Sequence, residues 1–108
     1  MKNRNINKVA VIGSGIMGSG IACHFANIGK EVLLLDIIPN ELSDEEVKKN
    51  LTLEDRKVRN RIVNESLVKA IKSKPSPLYH KNFKTRIETG NLVDDINKIS
   101  EADWIIEV

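Results

Sequence analysis

The sequence predicts an α/β fold: a doubly wound parallel sheet that is cut after its fourth strand and carries a helical excursion between strands two and three. Three observations predict it. Two apolar runs, Lys8–Ile12 and Glu31–Asp36, are continuous rather than alternating, which suits strands buried on both faces. A glycine turn, Gly13-Ser14-Gly15, separates the first run from a helical stretch. Gly29 then closes that stretch just before the second run. Strand, turn, helix and strand within ~30 residues form one βαβ unit, and such crossovers are right-handed.

The elements follow in order. Residues 16–28 read as a helix, with Met17, Ile21, Phe25 and Ile28 as one apolar stripe at helical spacing. Gly29 stands where a left-handed helix end favours a residue without a Cβ. Ser43-Asp44-Glu45-Glu46 has capping-box spacing and opens a short helix. Thr52, three residues before Asp55, is a second N-cap. From Leu53 to Lys72 the residues Val58, Ile62, Leu67 and Ile71 keep a helical rhythm, which Pro75 and Pro77 end. Phe83 to Glu88 reads as a third strand, Asn91 to Ile99 as a short helix, and Trp104 to Val108 as a fourth strand.

Composition bounds the function. The chain has 108 residues, 41% apolar, with a formal charge of +2. That is the length of one domain or part of one, with enough apolar matter for a core. No window approaches the ~18 apolar residues of a spanning helix. The basic start, Met1 to Lys8, lacks a small-residue cleavage site and is not read as a secretory signal. One cysteine, Cys23, excludes an internal disulfide framework and a cysteine-built zinc site, and fits a reducing, cytoplasmic setting. Residues 41–88 carry +4 and residues 89–108 carry −4. No nucleic-acid recognition motif accompanies the basic half. The sequence stops inside the apolar run of the fourth strand. We expect residues 1–108 to be the N-terminal part of a longer protein, and the open edge of that strand to seek a partner, such as a second copy.

The chemistry rests on Gly13-Ser14-Gly15-Ile16-Met17-Gly18, which fits G-x-G-x-x-G. The motif follows a predicted strand, opens a predicted helix, and is followed by an acidic residue, Asp36, 18 residues past Gly18. Those are the contextual conditions of a dinucleotide fingerprint. Gly13 permits the sharp turn, Gly15 lets backbone approach a diphosphate, and Gly18 lets the helix lie close to the strands. The helix N-terminus offers unpaired N–H groups and the positive end of its dipole. Asp36 accepts from ribose hydroxyls and repels a 2′-phosphate, and Ile37-Ile38-Pro39 offers no arginine to receive one. The expected cofactor is therefore NAD rather than NADP. The plainer reading is a tight turn and an acidic strand end with no ligand. Ile16 and Met17 line the cofactor where the helix begins, or Met17 packs in the core.

Other residues carry less. Cys23 reads as a small buried hydrophobe, His24 as a surface or core residue, His80 as solvated in a loop, and Trp104 as packing. Lys69 to Arg86 holds six basic residues and no acidic one. This fits either a helix C-terminus with a wet loop or a landing strip for a polyanion such as a coenzyme A phosphate.

The stretch Val11 to Ala22 resembles the start of the L-3-hydroxyacyl-CoA dehydrogenase family. Leu33 to Ile38, Asn50 to Asp55, Lys74 to Tyr79 and Gly90 to Val108 are similar to the dehydrogenase portion of bacterial multifunctional fatty-acid β-oxidation proteins. Some of those also carry an enoyl-CoA hydratase module. The resemblance implies a Rossmann domain with strand order 3-2-1-4 in this half. It implies NAD at Gly13, Gly15, Ile16, Met17 and Gly18, with Asp36 on the ribose, Ile37 beside it, and Glu107 and Val108 passing the cofactor. It further implies that Ser66, with Lys72 or a neighbour, contacts an acyl-CoA. The family's catalytic His–Glu pair, with a Ser and an Asn assisting, would lie beyond residue 108, so no catalytic residue is assigned here.

The expected function is the NAD-binding part of an enzyme that oxidises an L-3-hydroxyacyl-CoA to the 3-oxo thioester, inactive as residues 1–108 alone. Two alternatives stand beside it. One is another NAD-dependent dehydrogenase of hydroxy or amino acids, separated by assays on the longer parent. The other is a non-catalytic dinucleotide-sensing module, separated by whether the reading frame continues to a catalytic histidine.

Overall fold

The computed structural model describes residues 6–108; most of the basic start, including Lys2 and Arg4, lies outside the described residues. Four parallel strands, β1 (Lys8–Ile12), β2 (Glu31–Asp36), β3 (Ile87–Asn91) and β4 (Trp104–Glu107), form one sheet in the order β3-β2-β1-β4. Val9 pairs with Val32 on one side and with Trp104 on the other. Alternation along the central strands serves two faces. Val9, Val11, Val32 and Leu34 point into a core shared with the helices, while Ala10, Leu33 and Leu35 meet Leu92, Ile99 and Ala102 on the opposite face. Each fully buried leucine or valine there contributes about 1.5–3 kcal/mol.

Helix α1 (Ile16–Asn27) crosses from β1 to β2. Ile28 and Gly29 end it; Gly29 has φ +88°, and its N–H donates to Ala26 while that of Lys30 donates to Phe25. This satisfies the last carbonyls in a Schellman arrangement. The stripe Met17, Ile21, Phe25 and Ile28 is not the buried face. Gly18, Ser19, Ala22, Cys23 and Ala26 are. The reason is closeness: the glycine turn sets α1 so near the sheet that only small side chains fit beneath it. The bulky ones move to the flank, where Phe25 meets Trp104 edge-to-face with ring centres 5.8 Å apart. Trp104 packs on Phe25 and remains about half exposed.

The excursion begins with α2 (Asp44–Lys48), capped as expected: Ser43 and Glu46 exchange both capping-box bonds. The single long helix expected from Leu53 to Lys72 is two, α3 (Arg56–Arg59) and α4 (Arg61–Ile71). Thr52 does not cap; Asp55 holds the N-cap position, and its carboxylate accepts from the Thr52 N–H at 2.7 Å. The break falls at Asn60, whose buried amide oxygen accepts from Asn91 on β3 at 2.8 Å. A tertiary bond thus overrides a weak helix former. Val63, one residue past the expected Ile62, carries the α4 core contact together with Leu67.

The third strand starts four residues later than expected. Residues Lys81–Arg86 wind into a 3₁₀ turn instead. The Arg86 guanidinium stacks 4.0 Å from the Phe83 ring centre and donates to the Ala26 carbonyl, which holds this segment off the sheet. The short helix expected over Asn91–Ile99 is a 3₁₀ turn at Ile96–Glu101, because Asn91 and the residues before it are strand.

Candidate dinucleotide-binding site

β1 ends at Ile12 and the chain turns through Gly13, whose φ of +107° suits a residue without a Cβ. Its N–H still bonds Leu35 at 2.8 Å, so the turn hangs from the end of the sheet. A Cβ on Gly18 would fall 1.6 Å from the Gly13 carbonyl oxygen, whereas one on Gly15 would meet nothing within 4 Å. Gly18 is therefore required for the close approach of helix to loop, and the space over Gly15 is open. No side chain caps α1 and no acidic residue lies in its first turn. Its leading N–H groups and about half a positive charge face that space. Backbone donors, positive dipole and room above a glycine fit a diphosphate.

Asp36 ends β2, next to this turn. Its Oδ2 accepts from the Ser14 N–H at 2.9 Å and from the Ser14 hydroxyl at 2.5 Å, and its Oδ1 accepts from the Ile37 N–H at 2.7 Å. Burial alone would raise this carboxyl, but the Ser14 hydroxyl and the two amides outweigh it and hold the group below the usual carboxylate range. Among the described residues no basic side chain pairs with it.

The remaining expected cofactor residues gather at the same end of the sheet. Glu107 is the register partner of Ile12, and the Val108 N–H donates to Ile12 at 3.0 Å. The Val108 carbonyl oxygen lies 3.2 Å from where a Cβ on Gly13 would stand. Ile16, Met17 and Ile37 are exposed, so Met17 is not core.

A cleft of about 540 Å³ runs from Gly15 and Ile16 to the flank of α4, where Ser66, Lys69 and Ser73 line it. Ser66 is thus brought beside the turn. Lys72 is the exposed residue that follows α4 and is not part of the lining. Lys69 was legible as the i+3 neighbour of Ser66 on one helix face. Ser14 was legible as a hydroxyl between two glycines at a strand end. Cys23 is buried, and burial pushes its thiol up; His24 and His80 are exposed. Among the described residues no metal-holding cluster is present, and no helix is long and apolar enough to cross a membrane.

Residues 8–108 match the family model described as 3-hydroxyacyl-CoA dehydrogenase, NAD binding domain. The chain is 54% identical over 106 residues to a Bacillus subtilis (strain 168) protein named as a probable 3-hydroxyacyl-CoA dehydrogenase, covering 98% of this chain and 13% of that one. It is 40% identical over 103 residues to a Rickettsia felis protein named as a fatty acid oxidation complex trifunctional enzyme, covering 95% and 12%. The crystal structure of the (S)-3-hydroxybutyryl-CoA dehydrogenase PaaH1 from Ralstonia eutropha superposes with a TM-score of 0.52 at 26% identity, covering 96% of this chain and 31% of that one. The chain thus spans a small part of the curated relatives it matches, and the matched part is the glycine turn with the sheet that carries it. The chain belongs to the 3-hydroxyacyl-CoA dehydrogenase family, as an NAD-binding domain.

Proposed function

We propose that Gly13, Gly15 and Gly18 seat the diphosphate of NAD on the N-terminus of α1, that Asp36 accepts from the adenosine ribose, and that Ile16, Met17, Ile37, Glu107 and Val108 border the cofactor. The domain then serves, within a longer protein, the oxidation of an L-3-hydroxyacyl-CoA to its 3-oxo thioester. Bound NAD supplies the hydride acceptor of that reaction. This chain's own residues hold the nucleotide and no catalytic base. The observation that carries the reading is the placement of the Asp36 carboxylate against the glycine turn, through two bonds from Ser14. A 2′-phosphate brought there meets a negative charge that, among the described residues, no basic side chain pairs with.

The acyl-CoA is proposed to lie along the cleft where Ser66 and Lys69 face the turn. Lys72, which follows the end of α4 outside the cleft lining, is proposed to reach only the outer, solvent-facing end of the same ligand, where its contribution is small. Cys23, buried and unpaired, fits a reducing compartment such as the cytoplasm. The exposed Trp104 and Ile105 on β4 support self-association through that edge, which sedimentation at rising concentration tests.

Calorimetric titration with NADH and NADPH tests the cofactor reading. The unaltered chain is expected to favour NADH by about tenfold or more, and Asp36→Ala to erase the preference. Equal affinities in the unaltered chain overturn it. Assaying the full-length protein against hydroxyacyl-CoA and free hydroxy acids tests the substrate class.

A further inference from the structure

We propose that Ser14 is a positioning residue for Asp36 and, through it, sets the preference for a cofactor without a 2′-phosphate. The inference rests on the reading of Asp36 as the ribose acceptor.

Ser14 is wholly buried although it lies in the phosphate-facing turn. Its backbone is pinned from the helix side, because the buried Ser19 hydroxyl donates to the Ser14 carbonyl at 2.6 Å. Its own hydroxyl has a single proton to donate, and donates it to Asp36 Oδ2 at 2.5 Å. The Ser14 N–H donates to the same oxygen at 2.9 Å. A chain of bonds therefore runs from α1 through the turn to the end of β2.

The consequence is an acceptor count. An ionised carboxylate offers about four lone-pair positions. Ser14 fills both on Oδ2, and the Ile37 N–H fills one on Oδ1 at 2.7 Å. One position on Oδ1 is left for a sugar hydroxyl, with the side chain fixed in the rotamer that presents it. A 2′-phosphate has no proton to give to that position at neutral pH and meets a locked charge. Without the Ser14 hydroxyl the carboxylate would keep only backbone donors, would be free to turn, and would take up a proton more readily. The groups facing Asp36 are the Ser14 hydroxyl and the amides of Ser14 and Ile37; among the described residues no charged side chain pairs with it.

The test compares the unaltered full chain with Ser14→Ala, Ser14→Cys and Asp36→Asn. NADH and NADPH affinities are measured by calorimetry, and the Asp36 carboxyl is titrated by carbon-detected NMR without cofactor. Ser14→Ala is expected to weaken NADH binding about fivefold while leaving NADPH unchanged, and to move the Asp36 titration to higher pH. Ser14→Cys, with a weak donor of similar size, behaves likewise and carries the test if the alanine variant does not fold. A merely structural role for Ser14 would leave the carboxyl titration where it is, and that result overturns the proposal. So does an unchanged NADH-to-NADPH ratio in both Ser14 variants when Asp36→Asn abolishes it. If Asp36→Asn keeps the preference, the reading of Asp36 itself has failed, whatever Ser14 does.

Discussion

The Gly13 carbonyl oxygen stands 1.6 Å from the point where a Cβ on Gly18 would be built. No rotamer relieves such an overlap, because the positions of a Cβ and of a carbonyl oxygen are both fixed by the backbone. Gly18→Ala must push α1 away from the loop, disturbing the layer of small residues beneath it, and is expected to cost about 3 kcal/mol. Gly20 is two residues on in the same helix, with nothing within 4 Å of its would-be Cβ. Gly20→Ala is expected to stabilise by about 0.5–1 kcal/mol through helix propensity. Gly15→Ala, also unobstructed, should leave stability within about 0.5 kcal/mol. It should nonetheless weaken NADH binding about tenfold or more, because its methyl fills the space proposed for the diphosphate. Urea unfolding and calorimetry on the three variants separate packing from ligand approach. Similar losses of stability in all three would refute the assignment.

A second prediction concerns acid. Arg59 donates through its Nε and a terminal nitrogen to the two oxygens of Asp94, at 2.7 and 2.9 Å, and the Asn91 amide adds a bond at 3.0 Å. These hold the Asp94 carboxyl down at about 2. Asp95 is also lowered: burial opposes ionisation, but Arg56, the Asn91 backbone N–H and Lys98 outweigh it. A carboxyl depressed by folding stabilises the fold fully above its unfolded value, which is 3.8 for a free aspartate. That stabilisation is lost as pH falls from about 4 toward about 2. Urea midpoints should therefore drop across this window, and Asp94→Asn should flatten the slope. Parallel curves for the two proteins would rule out this pair as a source of the acid sensitivity.

The parts of the fold visible in the sequence are those whose pattern is local. β1, β2 and the glycine turn are written in continuous apolar runs and in residues that only a left-handed turn or a close approach requires. The Ser43 capping box is equally local. The excursion and β3 are not, because what shapes them is polar and distant. Gly90 lies past the expected third strand and Asn91 opens the expected short helix, yet both form the end of β3, since Gly90 leaves room for the Asp95 carboxylate and Asn91 bonds Asn60 across 31 positions. The α1 stripe misled for a related reason. Helical spacing marks the bulky side chains, but the glycine turn decides that the small face meets the sheet. At the site, Gly13 and Asp36 are found where the motif puts them. The Ser14–Asp36 bond depends on a hydroxyl whose role shows only when β1 and β2 lie side by side.

The last prediction distinguishes Lys69, on α4, from Lys72, which follows it. Lys69 lines the cleft with Ser66 and Ser73, while Lys72 follows the end of α4 outside that lining. Ser66 and Lys69, three apart, share one face of α4, whereas Lys72 comes after its last residue and stands outside the lining. If the cleft takes the phosphate-bearing part of an acyl-CoA, charge reversal at Lys69 places a like charge beside that part of the bound ligand. At Lys72 the reversed charge faces solvent, where salt screens it. In the full-length protein, Lys69→Glu is expected to raise KM for the thioester about tenfold with kcat little changed, and the loss should diminish at high ionic strength. Lys72→Glu is expected to raise KM no more than about twofold. Steady-state kinetics at two salt concentrations measure both. An effect at Lys72 equal to or larger than that at Lys69 would move the substrate contact to the end of the helix, and an effect at neither would take the thioester out of this cleft.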